Sequence, residues 1–268
     1  MRNALKRIYW IASAQFGFDL RKTIRSFISL PRYFIDYFRF KASYEGRIEF
    51  LPCLHDWHEE NGATIDEYFW QDIYIAQKIF RSHPDHHVDI GSRVNGFIAH
   101  VASFREIEVI DIRPITISIP NVTFKQIDLM KPADNFLDYC DSLSCLHALE
   151  HFGLGRYGDP IDPQGHESGI RNMARMLRPG GILYLSVPVG INRVEFNGQR
   201  VFDPQLIIDI AYSNQLELSE FVLFSAGKGL EKIDPTKETL TALGRNRYAL
   251  GIFTFEKANT ANEMNCTE

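Results

Sequence analysis

The sequence predicts an α/β fold, a mostly parallel sheet flanked by helices, carrying an N-terminal helical extension. Three observations predict it. From His87 onward, short apolar runs alternate with helix-like segments, the pattern of successive βαβ units. Acidic residues stand at the ends of the first three strand-like runs, at Asp89, Asp111 and Asp128. Residues 1–43 hold nine Lys/Arg against Asp19 and Asp36, a balance of +7 that leaves −12 for the remainder of a chain whose net charge is −5.

A chain of 268 residues, 45% apolar and 24% charged, is long enough to bury a substantial core. Its four cysteines (Cys53, Cys140, Cys145, Cys266) are scattered, without a CxxC pair, which points away from a disulfide framework or zinc knuckle and toward a reducing compartment. No run of eighteen apolar residues occurs, and Arg2, Lys6, Arg7 and Asp19 interrupt any secretory signal, so a cytoplasmic location is expected. The acidic remainder argues against nucleic acid as a partner, because phosphate contacts need clustered positive charge.

The elements follow in order. Residues 1–83 form the extension, whose charges interleave with Tyr9, Trp10, Phe16, Phe18, Phe27, Tyr33, Phe34, Tyr37, Phe38 and Phe40. This composition suits peripheral contact of residues 1–43 with the inner face of a membrane, or packing on a partner. It equally suits a helical pair covering the core with solvated charges. Ile24, Phe27, Ile28, Phe34, Ile35 and Phe38 recur at helical spacing, and Pro31 divides them into two short helices. After a loop from Tyr44 to Asn61, the capping-box pattern Thr64-Ile65-Asp66-Glu67 opens a helix that His83-Pro84 stops.

Residues 84–257 then read as strand His87–Ile90, helix Gly96–Phe104, and strands Ile107–Asp111, Val122–Ile127 and Ser142–Leu146. Helix Ser168–Leu177 and strand Ile182–Val187 follow. A helix opened by Asp203-Pro204 and strands Leu216–Phe224 and Tyr248–Glu256 complete the domain. The polar tail 258–268 is expected to be disordered.

The turn after His87–Ile90 carries Gly91, Ser92, Arg93 and Gly96, where a ligand can approach backbone amides at a helix N-terminus. Twenty residues after Gly91, Asp111 stands where a carboxylate accepts hydrogen bonds from a ribose diol, and Asp128 is placed to accept from an adenine amino group. These blocks, with "DSLSCLHALEHFGLGRYGDP" and "MLRPGGILYLSVPVG", resemble class I S-adenosylmethionine-dependent methyltransferases over residues 85–257. The segments "VDIGSRVNGF" and "LEHFGLGRYGDPIDP" narrow the resemblance to a methyltransferase-like family bearing a domain-of-unknown-function label.

The resemblance implies a Rossmann-like seven-stranded sheet and S-adenosylmethionine as cofactor. It implies cofactor contacts at Asp89, Gly91, Ser92, Arg93, Gly96, Asp111, Ile112, Asp128, Leu129 and Cys145. It weakly implies a setting in surface-polysaccharide biosynthesis. The chain departs from the usual first loop, with Arg93 and Asn95 where further glycines are expected and Gly96 one place late. Arg93 either pairs with the cofactor's methionine carboxylate or fills the pocket. A dinucleotide site is disfavoured, since neither GxGxxG spacing nor a Tyr-x-x-x-Lys dyad stands in a fitting position, the turn after the first strand lacking that glycine spacing.

His147, Glu150 and His151 form the catalytic candidates, at i, i+3, i+4 spacing that would share one helix face. A histidine here suits a general base acting on a hydroxyl. With His166, the same residues could instead hold a divalent metal, although Leu-Glu-His at this place also occurs in metal-free relatives. Arg156, Tyr157 and Asp159 lie on a loop that is either a lid or a rigid connector. Asn192, Arg193, Asn197 and Arg200 offer further polar contacts or ordinary surface. Two functions follow: O-methylation of a small hydroxylated acceptor such as a glycan sugar, or a non-catalytic module in a glycan-assembly or membrane-associated complex.

Overall fold

The computed structural model describes residues 2–54, 66–132 and 134–259. The chain divides into two compact units, Met1–Thr64 and Ile65–Glu268.

The first unit holds α1 (Arg2–Phe16) and α2 (Leu20–Ser43), joined through Gly17 at φ 70°. Asp19 caps α2 by accepting from the Arg21 and Lys22 amides at 3.0 and 3.1 Å, and it also accepts from the Tyr9 hydroxyl. The expected break at Pro31 does not occur, and α2 runs through it as one 24-residue helix. A proline removes one backbone hydrogen bond while its φ remains helical, so long helical flanks can carry it through.

The second unit opens with α3 (Glu67–Ser82). Its N-cap is Asp66, which accepts from the Tyr68 and Phe69 amides at 3.0 and 3.2 Å. The expected Thr64 cap lies outside the described residues, and Glu67 accepts from the Tyr248 hydroxyl at 2.6 Å. Because α3 buries Ile75, Ala76 and Ile79 in the sheet's core, it belongs to this unit and not, as expected, to the extension.

The unit continues with β1 (His87–Ile90), a π-helical turn (Val94–Ile98) leading into α4 (Ala99–Ala102), β2 (Ile107–Asp111), β3 (Val122–Gln126) and β4 (Cys140–Leu146). Next come a 3-10 turn (Leu149–His151), α5 (Gly165–Met176), β5 (Leu177–Val189), the ribbon strands β6 (Arg193–Glu195) and β7 (Gln199–Val201), and α6 (Pro204–Tyr212). Strands β8 (Leu216–Ser225) and β9 (Gly229–Lys232), helix α7 (Lys237–Leu243) and strand β10 (Ala249–Lys257) complete it.

The sheet order is β3-β2-β1-β4-β5-β10-β8-β9. Strands β1 to β5 pair in parallel, and β10 lies antiparallel between β5 and β8. The first seven in that order are the class I methyltransferase arrangement, a Rossmann-like α/β fold. The eighth, β9, forms because Gly227 and Gly229, both at positive φ, fold the chain back onto β8. Alternation along the strands feeds two cores. Leu143, Leu185 and Phe253 pack in one, while Val109, Tyr184 and Ile252 pack with α3 and α4 in the other. The expected tail starts beyond a last tether, the Ala258 amide donating to the Gln215 carbonyl, and residues 260–268 lie outside the described ones.

Candidate active site

The strand order reverses between β1 and β4, and a cavity of about 330 Å³ opens there, lined from the carboxyl ends of β1, β2 and β4. Such a switch point is where open α/β sheets bind ligands, and the volume is at the lower end of small-molecule sites.

The first loop is built around Gly91, at φ 70°, where a Cβ would come within 3.0 Å of the Ala148 Cβ. Gly91 and Arg93 line the cavity; Asp89, Ser92 and Gly96 do not. Asp89 is fully buried and accepts from the Ser92 amide (3.0 Å), the Ser92 hydroxyl (2.7 Å) and the Ser144 hydroxyl (2.6 Å). Burial pushes its carboxyl up to about 7, against the pull of these three donors. The expected cofactor contacts at Asp89 and Ser92 are therefore spent within the loop, fixing its shape. Gly96 sits in the π-helical turn with φ −126° and ψ −107°, and a Cβ there would meet the Asp72 Oδ2 at 2.4 Å. Its late position accommodates α3, not a ligand. Cys145, also expected at the cofactor, is fully buried in the core of β4, where burial raises its thiol pKa.

Arg93 does not fill the cavity. Its guanidinium stacks over the Tyr68 ring at 4.9 Å and, among the described residues, ion-pairs with no carboxylate. Asp111, Ile112, Asp128 and Leu129 also line the cavity. Both Asp111 oxygens are engaged by Arg113, Nε at 3.0 Å and Nη2 at 2.6 Å. Asp128 accepts from the Met130 amide at 3.0 Å.

His147 sits at φ 51°, in the left-handed region, so the expected single helix face for His147, Glu150 and His151 does not form. A different constellation results. The His147 Nδ1 donates to the buried Glu150 at 2.7 Å, its Nε2 lies 3.6 Å from Glu67, and its ring packs on Tyr68. Burial disfavours the charged ring, but Glu150 and Glu67 outweigh it and raise the His147 pKa. Glu150 is lowered in turn, because His147 and His151 overcome its burial. Each thus favours the charged form of the other.

His151 is the contrary case. Burial and the neighbouring Arg156 lower its pKa despite Glu150. Its Nδ1 lies 2.8 Å from the Gly198 carbonyl, which can only accept, so Nδ1 carries the proton and Nε2 keeps a lone pair in a ring that lines the cavity.

Arg156, Tyr157 and Asp159 also line the cavity. Tyr157 lies under Arg113 (4.3 Å) and Arg156 (5.2 Å), and Asp159 accepts from the Gly155 and Tyr157 amides. Asn192, Arg193, Asn197 and Arg200 do not line it. Arg200 is buried and donates to the carbonyls of Phe152, Asp162 and Pro163, pinning the loop from behind. His166 lies outside the lining, against Phe202, and among the described residues no group of three His, Cys, Asp or Glu is arranged to hold a metal. Tyr68, Arg113, Tyr248 and Glu67, the last read only as part of a capping box, were not expected at the site; "DIRP", with its arginine two residues after Asp111, was the available signal for one of them.

A family model described as "Caenorhabditis protein of unknown function, DUF268" matches residues 103–213. No curated protein matches the chain. Among solved structures it is similar to the [4+2]-cyclase SpnF, at 16% identity over 70% of this chain and 82% of that one, TM-score 0.49. It is also similar to the 1,6-didemethyltoxoflavin-N1-methyltransferase of Burkholderia thailandensis, at 13% identity over 80% and 94%, TM-score 0.49. A third is the N-methyltransferase NodS of Bradyrhizobium japonicum WM9, solved with S-adenosyl-L-homocysteine, at 15% identity over 74% and 93%, TM-score 0.47.

Proposed function

We propose that the chain is an S-adenosylmethionine-dependent methyltransferase that O-methylates a small hydroxylated acceptor, such as a sugar of a glycan. The observation that carries this reading is the composition of one cavity at the switch point. Arg93, without a carboxylate partner among the described residues, lines it together with the acids Asp111 and Asp128, and Ile90, Ile110 and Leu129 supply apolar walls. That donor set fits an aminocarboxylate at Arg93, a ribose at Asp111 and a base between the apolar side chains. When bound, the cofactor supplies an electrophilic sulfonium methyl group.

The chain's own residues supply the rest. His151 lines the cavity, and its Nε2, from which the Arg156 Nη1 at 3.4 Å must turn away, takes the proton of an acceptor hydroxyl as the oxygen attacks. Glu150, 3.7 Å from the His151 Nε2, stabilises the imidazolium that results. His147, whose Nδ1 donates to Glu150 at 2.7 Å, holds it in place. Tyr68, Tyr157 and Arg156 shape the acceptor side, a wall suited to the ring and hydroxyls of a sugar.

One observation favours the second reading, a non-catalytic module in a glycan-assembly or membrane-associated complex. The Asp111 carboxylate is engaged on both oxygens by Arg113, which competes with a ribose for it. Calorimetric titration with S-adenosylmethionine and S-adenosylhomocysteine separates the two. Micromolar binding that Asp111→Ala abolishes supports the enzyme and justifies an acceptor screen, whereas folded protein that binds neither ligand is the module.

A further inference from the structure

The acidic sheet unit explains nothing about the composition of the first 43 residues, and α2 displays that composition as a pattern. Ile24, Phe27, Ile28, Phe34, Ile35 and Phe38 recur at three- and four-residue steps along one face, each between 43% and 69% exposed. Arg21, Arg25, Arg32 and Arg39 follow one flank at steps of four and seven, where Asp36 lies 3.6 and 3.8 Å from Arg32 and Arg39, and no acidic residue interrupts the apolar face. Phe16 and Phe18, at 80% and 59% exposure, extend the patch around the turn into α1. Such an uncovered apolar stripe is rare on a protein surrounded only by water.

We propose that α2 is a membrane-docking surface, lying flat in the interface of an anionic bilayer. Among the described residues no helix is long and apolar enough to cross a membrane, so the contact is with one surface. Charge complementarity selects the occupant. Aromatic and aliphatic side chains enter the boundary between headgroups and acyl chains while a row of arginines meets anionic headgroups. The rest of the chain carries −12 and is repelled by that surface, which confines attachment to the +7 segment. Arginine suits this flank because its guanidinium forms paired hydrogen bonds to phosphate.

The test uses the full-length chain and sedimentation with vesicles of phosphatidylcholine alone, or of three parts phosphatidylcholine to one part phosphatidylglycerol. Binding is expected with the anionic vesicles only, weakening as salt is raised. Replacing Arg21 and Arg25 together by Gln lowers partitioning by about 25-fold, at about fivefold for each basic residue. The pair Phe27→Glu and Phe38→Glu abolishes it, with circular dichroism and melting temperature unchanged. Should the phenylalanine pair unfold, the arginine pair, on a solvent-facing flank, decides alone. No sedimentation, or equal sedimentation with both vesicle types, overturns the proposal. So does self-association without vesicle binding that Phe27→Glu reverses, which would make the occupant a second copy of the chain.

Discussion

His87 is fully buried beneath the candidate site, with Nδ1 2.8 Å from the Ser142 hydroxyl and Nε2 3.1 Å from that of Ser144. Because Ser144 gives its proton to Asp89, its oxygen must accept from the His87 Nε2–H, and Nδ1 accepts from Ser142. Burial holds His87 down at about 3 and pushes Asp89 up to about 7. Unfolded, the two titrate near about 6.5 and about 3.9. The folded chain therefore binds fewer protons at His87, and stability rises with pH between about 3 and about 6.5. It binds more at Asp89, and stability falls with pH between about 4 and about 7. Each slope is at most about 1.4 kcal/mol per pH unit, and over the shared range they oppose. His87→Gln removes the first. Relative to the parent, its unfolding free energy should decline as pH rises from about 4 to about 6.5, at up to that slope. Parallel profiles in urea unfolding would show that this pair is not where the protons reside. For chemistry, His151→Gln should slow transfer by about 10²–10⁴ in an acceptor assay while leaving S-adenosylhomocysteine affinity intact. Loss of affinity instead would make His151 a binding residue. Gly91, Arg93, Asp111 and Asp128 were legible in the sequence because each stands at a fixed offset from a strand end. Arg113 and Tyr68 were not, because a clamp on Asp111 and a ring beneath Arg93 arise only when separate segments meet.

Apolar runs gave away β1, β2, β4, β5 and β10, which are buried along most of their length, and the partly exposed β3 and β8 kept enough apolar residues to be read, whereas β9 depends on two glycines and a neighbour to pair with. The helix after β1 was legible, but its π-helical turn was not. That turn exists because Asp72 on α3 occupies the space a side chain at position 96 would need. Gly96→Ala should accordingly cost about 1–3 kcal/mol, and most of that cost should vanish in an Asp72→Ala background. Additive penalties in the double variant would place the strain elsewhere. The end of β2 and the loop bearing Tyr157 are joined by Arg113, which holds Asp111 and stacks on the Tyr157 ring. Releasing this contact frees both the carboxylate and the loop. Arg113→Ala should therefore tighten S-adenosylhomocysteine binding in calorimetry, and weaker binding would mean that the arginine contacts the ligand itself.

The division of the molecule lies at Thr64, because α3 spends its apolar face on the sheet. A sequence reading places the boundary at the proline after α3, where the helix ends, since which partner an amphipathic helix covers is a tertiary fact. Every residue of the two sheet cores lies at or after Ile75. The sheet unit should then be self-sufficient: a chain beginning at Ile65 should melt within about 2 °C of the full-length protein, a difference of less than about 1 kcal/mol for a unit of this size. It should also retain the cofactor affinity of the whole, because the cavity is lined by residues from Tyr68 onward. Scanning calorimetry with and without S-adenosylhomocysteine measures both. A truncated chain that melts several degrees lower would show that α1 and α2 stabilise the sheet unit. Their exposed aromatic faces would then have to be explained as part of the fold.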